Sequence, residues 1–207
     1  MGTIGIDFDN TIVCYHELFH RLAVERSLIP AAVPASKSAV RDYLRSHGQE
    51  AEWTALQGIV YGPRLEDAEP FAGVLDFLRH CHGSGIACRI ISHKTEYPAL
   101  GERYDLHAAA LNWLSAKGFL NSATGLNLEA VFLETSRLAK LQRIASENCV
   151  LFIDDLPECL TDAAFPAGVE RVLFDPQASM PLGPYQRCGS WDEIARFVLG
   201  ARERQSP

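Results

Sequence analysis

Two aspartates near the start of the chain, Asp7 and Asp9, have the types and spacing that could support chemistry. They follow a short apolar run, residues 4–6, which is typical of a buried strand in a parallel sheet. Ligand sites in such sheets lie beyond the carboxyl ends of the strands. Two carboxylates this close repel each other, and Mg²⁺ would offset that repulsion while still accepting phosphate oxygens and water as ligands. The pattern Asp-x-Asp-x-Thr, residues 7–11, therefore predicts a metal-assisted phosphate site.

Polar residues also follow two later strand candidates. Ser92 comes after the strand candidate 86–91, which ends in two isoleucines, and Asp154 and Asp155 follow the apolar run 150–153. The carboxyl ends of parallel strands meet at one edge of a sheet, so we expect these side chains to converge. A turn with a helix cap is the plainer interpretation of each group, but one acid is enough for a turn and paired acids are costly without a cation.

In this order, the motifs resemble those of the haloacid dehalogenase-like (HAD) hydrolase superfamily, and specifically its phosphatases. The matching residues are Asp7-Phe8-Asp9-Asn10-Thr11, Ser92, Lys140 and Phe152-Ile153-Asp154-Asp155. The resemblance spans nearly the whole predicted core and implies a doubly wound, Rossmann-like parallel sheet. It also implies a small helical cap inserted after the first strand.

The resemblance implies a role for each catalytic residue, and each role meets a chemical need. Asp7 would attack phosphorus and form an aspartyl-phosphate. Asp9 would protonate the leaving oxygen and then deprotonate the water that cleaves this intermediate. Ser92 would donate a hydrogen bond to a phosphoryl oxygen. Lys140 would neutralise the negative charge of phosphate and nucleophile, although a solvent-exposed helix lysine is the plainer interpretation of that residue.

The resemblance also implies bound Mg²⁺ and further phosphate contacts. The ion would be held by Asp7, by the backbone carbonyl of Asp9 and by one acid of the later pair. We expect Asp155 to be the direct ligand. Asp154 would contact the ligands of the ion or reach the ion through a water molecule. The remaining predicted phosphate-binding or loop-shaping residues are Asn10, Thr11, His93 and Lys94. Lys94 lies two residues after Ser92 and is a rival to Lys140 for neutralising the phosphate.

Strand and helix patterns alternate after residue 70, which predicts an α/β domain. Residues 1–12 and 70–207 form this predicted core domain, and residues 13–69, with no strand candidate, form the predicted helical cap. The predicted strands are 86–91, 130–133, 150–153 and 170–174, besides the first. The predicted helices are 16–28, 36–47, 50–60, one opened by Pro70, 106–119, 136–147 and 191–199, and residues 202–207 are predicted to fray.

Composition limits the classes of partner and compartment. The net charge of −7 disfavours non-specific nucleic-acid binding. No run is long enough to span a membrane and no signal peptide is evident, so no membrane partner is expected. Six scattered cysteines without a C-x-x-C pair suggest a reducing, cytoplasmic location. A small phosphorylated metabolite is the expected substrate, and the sequence does not fix the oligomeric state.

Four other functions compete with a phosphatase. Within the resembling superfamily, a dehalogenase needs the first aspartate but neither the second nor Mg²⁺, so Asp9 favours phosphoryl chemistry. A phosphotransferase or phosphomutase would use the same residues, and a catalytically silent module would bind a phosphorylated ligand without turnover. Finally, residues 16–20 match H-E-x-x-H, in which His16 and His20 would bind zinc.

Overall fold

A six-stranded parallel sheet forms the centre of the first of two compact units. The structure is a computed structural model that describes residues 2–203. Its sheet contains β1 (Thr3–Ile6), β4 (Cys88–His93), β5 (Val131–Glu134), β6 (Cys149–Asp154), β7 (Glu170–Phe174) and β8 (Gln186–Cys188). The spatial order is β5-β4-β1-β6-β7-β8, and every neighbouring pair is parallel. The predicted parallel α/β sheet is confirmed.

Helices cover both faces of this sheet. The helices of the first unit are α4 (Val74–Gly83), α6 (Arg137–Ser146), α7 (Pro157–Leu160) and α8 (Trp191–Glu203). Leu173 of β7 packs in a buried cluster with residues of α6 and α7. The ring of the next residue, Phe174, lies 5.7 Å from that of Trp191 in α8. Successive strand residues point to opposite faces, so the sheet is doubly wound as predicted.

The second unit is mainly helical. Its helices are α1 (His16–Glu25), α2 (Lys37–Ser46), α3 (Glu50–Tyr61) and α5 (Leu106–Ala116). Capping fixes two of their starts, because the Ser36 hydroxyl accepts from the Ala39 N–H and the Asp105 carboxylate accepts from the Ala108 N–H. Across the described residues, no helix combines the length and apolar character needed to cross a bilayer.

The sequence patterns missed the shortest elements. Residues 13–69 contain β2 (Val13–Cys14), which pairs with β3 (Glu69–Pro70), so the absence of strands predicted there was wrong. Pro70 lies in β3, and α4 starts only at Val74. Strand β8 was not predicted either. Helix α8 extends past its predicted end at residue 199, and residues 204–207 of the predicted frayed tail lie outside the described residues.

The contacts within the chain define the two units. The first comprises the chain up to Ile12, Pro70–His93 and the chain from Gly118 onward, and the second comprises Val13–Glu69 and Lys94–Lys117. The sequence placed residues 94–117 in the core domain, whereas their contacts group them with the helical unit. In that unit the Trp113 indole N–H donates to the Ala68 carbonyl over 2.9 Å. The assignment of residues 13–69 as a cap rests on the resemblance and stays a prediction.

Candidate active site

Three neighbouring strands deliver Asp7, Ser92 and Asp154 to one edge of the sheet. Asp7 directly follows β1, Ser92 is the penultimate residue of β4, and Asp154 ends β6. Ile6 pairs in register with Ile153, so the two aspartates leave the sheet at the same level. Strand β1 lies between β4 and β6, where the connections turn in opposite directions, which is where ligand sites form in open α/β sheets.

The Lys140 ammonium joins two of these acids. Its Nζ lies 2.6 Å from Oδ1 of Asp7 and 2.7 Å from Oδ2 of Asp154. The Ser92 hydroxyl donates to the same Asp7 oxygen over 3.0 Å. Lys140 is only 2% exposed, so its interpretation as a solvent-exposed helix lysine was wrong. Both hydrogen bonds to the Asp7 side chain fall on one oxygen, which orients the carboxylate.

Burial and charge set the protonation of this group. Burial raises the pKa of Asp7 to about 6; Lys140 opposes this, while Asp154 and Asp9 add to it. Burial alone would lower the pKa of Lys140, but Asp154 and Asp7 together raise it above its ordinary value. The cation therefore persists at neutral pH, whereas the Asp7 carboxylate ionises at a measurable cost.

Asp7, Asp154 and Asp155 can place one carboxylate oxygen each within 4.8 Å of one another. Asp154 is fully buried, and its oxygens already accept hydrogen bonds from Lys140 and from the Leu156 N–H. Asp155 is partly exposed. Hard carboxylate oxygens are the donors that Mg²⁺ prefers, so the residues fit that ion. Among the described residues this is the one such cluster of acids, histidines and cysteines, and His16 and His20 belong to none.

Solved structures with this arrangement of strands and helices are similar along almost the full chain. Magnesium-bound HAD-hydrolase YfnB from Bacillus subtilis matches with a TM-score of 0.62, 14% identity, and coverage of 96% of this chain and 98% of that chain. A HAD family hydrolase from Deinococcus radiodurans with bound phosphate and sodium matches with a TM-score of 0.57 and 15% identity, over 98% of this chain and 96% of that chain. An L-2-haloacid dehalogenase matches with a TM-score of 0.56 and 13% identity, over 96% of this chain and 99% of that chain. The chain has the HAD-like fold.

Sequence comparison adds no closer relationship. No family model matches the chain, and no protein of curated function matches it in sequence. The HAD-like fold is shared by the hydrolase and dehalogenase structures alike, so the fold alone does not separate their reactions. That distinction depends on the residues of the site.

The loop after Asp7 contains the remaining predicted residues of the first motif. Asp9 and Asn10 are partly buried, and Asn10 has a φ of 57°, a left-handed conformation that asparagine tolerates better than most residues. Thr11 is fully buried, and its carbonyl accepts from the Trp191 indole N–H over 3.2 Å. The hydroxyl Oγ1 of Thr11 has no hydrogen-bond partner among the described residues. The backbone conformation of Asn10 and the hydrogen bond to Thr11 support a loop-shaping role for both residues.

The segment after Ser92 divides between the two units. His93 belongs to the sheet unit, and its side chain is largely exposed. Partial desolvation of the ring, followed by the charge of Lys140, lowers the pKa of His93. Lys94 belongs to the helical unit, where its Nζ lies 4.8 Å from the centre of the Tyr61 ring. Of the two rival lysines, Lys140 contacts Asp7, and the neutralisation of phosphate by either remains a prediction.

Two groups near Asp154 were not predicted as part of the site. Burial, followed by the charge of Asp154, raises the pKa of the Cys159 thiol, so the thiol stays protonated. The Phe152 ring lies 5.3 Å from Nζ of Lys140. Cys159 follows Asp155 by one helical turn, but a lone cysteine in an apolar context gives no chemical signal by itself.

The buried charge of Asp7 makes a testable prediction about stability. Asp7 has an unfolded-state pKa near 3.8 and a folded-state pKa near 6, so the protein loses stability as pH rises from about 3.8 to about 6, and the full cost is present above that range. Asp7→Asn removes that cost. At about 1.4 kcal/mol per pKa unit, we expect the metal-free variant to be more stable than the wild type by up to about 3 kcal/mol at pH 8.

Urea unfolding in EDTA at pH 8, 6 and 5 measures this difference. The advantage of Asp7→Asn should be similar at pH 8 and 6 and should shrink at pH 5, where the wild-type carboxyl is mostly protonated in the folded state. Asp76→Asn, at an exposed aspartate paired with Arg79, is the matched control and should change stability equally at all three pH values. A variant less stable than the wild type at pH 8 would contradict the prediction.

Proposed function

We propose that the protein is a Mg²⁺-dependent phosphatase that acts on a small phosphorylated metabolite through an aspartyl-phosphate. The observation that supports this most directly is the convergence of Lys140 and Ser92 on one Asp7 oxygen, with Asp154 and Asp155 close by. An oriented carboxylate beside a buried cation suits attack on an anionic phosphorus centre. Without positive charge, the approach of one anion to another would be strongly opposed.

In the first step, a carboxylate oxygen of Asp7 attacks phosphorus and the bond from phosphorus to the ester oxygen breaks. The departing oxygen takes a proton from the carboxylic acid of Asp9. Ser92 and Lys140 donate hydrogen bonds to phosphoryl oxygens as negative charge is redistributed. The products of this step are the free alcohol and a phosphorylated Asp7.

In the second step, Asp9, now a carboxylate, takes a proton from a water molecule. The water oxygen attacks phosphorus, and the bond between phosphorus and the Asp7 oxygen breaks. Inorganic phosphate leaves, Asp7 returns as a carboxylate, and Asp9 is again protonated. The same residue therefore acts as acid and then as base.

Asp7, Asp155 and the backbone carbonyl of Asp9 would hold the Mg²⁺, and Asp154 would orient this group while pairing with Lys140. When bound, the ion supplies positive charge that stabilises the phosphoryl group during transfer. One similar structure contains magnesium and another contains phosphate and sodium, and both support this assignment.

Asp9 favours phosphoryl chemistry over dehalogenation. A leaving alkoxide needs a proton, whereas a leaving halide does not. A second acid two residues after the nucleophile is therefore useful in phosphate ester hydrolysis and not in dehalogenation. Transfer to an acceptor other than water, as in a phosphomutase, would use the same residues. Phosphate appearing on an added acceptor, or tight binding of a phosphate ester without turnover, would identify the transferase or the silent module.

Phosphate release from p-nitrophenyl phosphate, with Mg²⁺ or with EDTA, tests the proposal. We expect turnover with Mg²⁺ and a loss of at least about 100-fold in EDTA, together with no chloride release from 2-chloropropionate. Asp9→Asn should lower phosphate release by about 10²–10⁴-fold, the usual contribution of a general acid. Chloride release that survives both EDTA and Asp9→Asn would overturn the proposal in favour of a dehalogenase.

A further inference from the structure

An open cavity lies in the sheet unit, at the amino ends of β7 and β8 and away from the sheet edge that bears Asp7. Its volume is about 540 Å³, which is typical of sites for small molecules. The lining side chains come from β7, β8, α8 and the adjoining loops; they include Val169, Glu170, Arg171, Pro184, Tyr185 and Phe197. The proposed phosphatase chemistry does not use this cavity.

Arg171 has the only positively charged side chain among the residues that line this cavity. Within the described part of the chain, its guanidinium forms no ion pair and no hydrogen bond, and its Nε–H is buried without an acceptor. The two terminal nitrogens are not buried in this way, so they remain open to solvent. Internal hydrogen bonding therefore does not explain why a partly buried arginine is found here.

The ring of Phe165 fixes the position of this guanidinium. Cζ of Arg171 lies 4.7 Å from the centre of that ring. Phe165 is only 5% exposed and belongs to the buried cluster that joins β7 to α6 and α7. The contact stabilises the cation, but a ring covers one face of the planar group and supplies no oxygen to its terminal N–H groups. The N–H edge of the guanidinium is therefore fixed in position and left without an acceptor.

The neighbouring acid does not neutralise Arg171. Glu170 also lines the cavity, but consecutive residues of a strand point to opposite faces, and the exposed Glu170 side chain forms no ion pair with any described residue. Arg89, another partly buried arginine in a strand of this sheet, lies 3.2 Å from the Glu147 carboxylate. Arg171 differs from Arg89 in having no such carboxylate partner in the described part of the protein.

We propose that this cavity binds a small molecule that combines one carboxylate with an apolar, planar body. The guanidinium fork of Arg171 matches a carboxylate, which can accept two parallel hydrogen bonds from it. A single cation beside Glu170 favours a ligand with one negative charge over a phosphate dianion, because Glu170 would repel the dianion more strongly. This site goes beyond the proposed phosphatase function and does not depend on it.

The rest of the cavity wall suits the apolar part of such a ligand. Val169 and Phe197, both partly buried, contribute apolar surface together with Pro184. The Tyr185 hydroxyl donates to the Pro181 carbonyl over 2.6 Å, which sets the orientation of the tyrosine ring. A flat ring would bury apolar area against these side chains while its carboxylate meets the guanidinium.

Benzoate is the simplest probe of this site, and the Nε–H resonance of Arg171 reports its binding by NMR without reference to catalysis. We expect benzoate to shift this resonance saturably, with a Kd of about 1 mM or lower, a strength within reach of a ligand of this size. The backbone N–H resonances of Val169 and Gln186 should shift over the same concentrations. Arg171→Lys assigns the Nε–H signal, because lysine lacks this group. Absence of a saturable shift would overturn the inference.

Arg171→Lys also supplies the decisive comparison. Lysine keeps the charge but not the planar fork, so the affinity for benzoate, followed through the backbone resonances of Val169 and Gln186, should fall by about tenfold or more. Arg89→Lys, at the partly buried arginine that pairs with Glu147, is the matched control and should change this affinity by less than about twofold. Unchanged affinity in Arg171→Lys would show that the guanidinium does not hold the ligand, and the inference would fail.

Glu170→Gln tests the charge argument at an exposed position, where the substitution should leave the fold intact. Removing this negative charge should strengthen benzoate binding by about twofold or more, and the gain should diminish at high salt. Unchanged or weaker binding would contradict the argument that Glu170 limits the charge of the ligand.

Benzamide and acetate separate the two halves of the expected ligand. Benzamide has the ring without the charge and acetate has the charge without the ring, so each should bind at least about tenfold more weakly than benzoate. Phenylphosphonate at pH 8, where it is mainly a dianion, should also bind more weakly. Equal binding of benzamide, or tighter binding of phenylphosphonate, would overturn the assignment of a carboxylate ligand. None of these results bears on phosphate hydrolysis at Asp7.

Discussion

Asp7→Asn should lower kcat/KM for p-nitrophenyl phosphate by at least about 10³-fold, the scale expected when a covalent nucleophile is removed. The amide is nearly the same size as the carboxylate, and Ser92 and Lys140 remain around it. Loss of activity would therefore reflect lost nucleophilicity and not a collapsed site. The metal-free variant should at the same time be more stable at pH 8, which separates the two effects.

Intact-mass measurement must accompany the assay, since an asparagine that reverts to aspartate would restore activity. Asp76→Asn, far from the site in sequence and exposed, is the control and should retain activity within about twofold. If Asp7→Asn kept more than a tenth of the wild-type activity with its mass unchanged, Asp7 would not be the nucleophile, and the covalent route would have to be abandoned.

Lys140→Met should destabilise the metal-free protein by about 3–5 kcal/mol at pH 8. The substitution leaves two buried carboxylates, those of Asp7 and Asp154, without the cation that lies within 2.7 Å of each. The loss should be smaller at pH 5, because protonation removes one negative charge from the pair. Urea unfolding monitored by tryptophan fluorescence gives the free energy of unfolding at both values.

Two further variants check the cause of this loss. Lys117→Met removes a partly exposed lysine with a single partner and should cost no more than about 1 kcal/mol. Adding Asp154→Asn to Lys140→Met should recover part of the stability, because it removes one of the two uncompensated charges. A small, pH-independent loss in Lys140→Met would show that the buried pair contributes little net free energy.

Much of the site followed from local sequence because its acids come directly after apolar strands. Asp7 ends one such run and Asp154 ends another, and parallel pairing alone brings both to the same edge. Helix starts at Ser36 and Ser136 were equally local, since each hydroxyl caps its own helix. Such features need only a few neighbouring residues to be recognised.

Other features depend on contacts that are distant in sequence. The contact between Lys140 and Asp7 joins residues 133 positions apart, so its pattern alone could not distinguish Lys140 from an exposed helix lysine. The two-residue strands β2 and β3 exist only as a pair. The grouping of Lys94–Lys117 with the helical unit depends on packing, such as that of Trp113, which no periodicity encodes.

The central position of β1 has a consequence for biosynthesis. On the ribosome, this strand emerges before the other five strands of its sheet, yet its two flanking partners are Cys88–His93 and Cys149–Asp154. Until the latter segment leaves the exit tunnel, one edge of the nascent sheet has unsatisfied amide and carbonyl groups, with Ile4 and Ile6 beside them. Chaperone engagement should therefore concentrate in that interval, and nascent chains arrested while Cys149–Asp154 is still inside the tunnel should aggregate more readily than chains arrested after this segment has emerged.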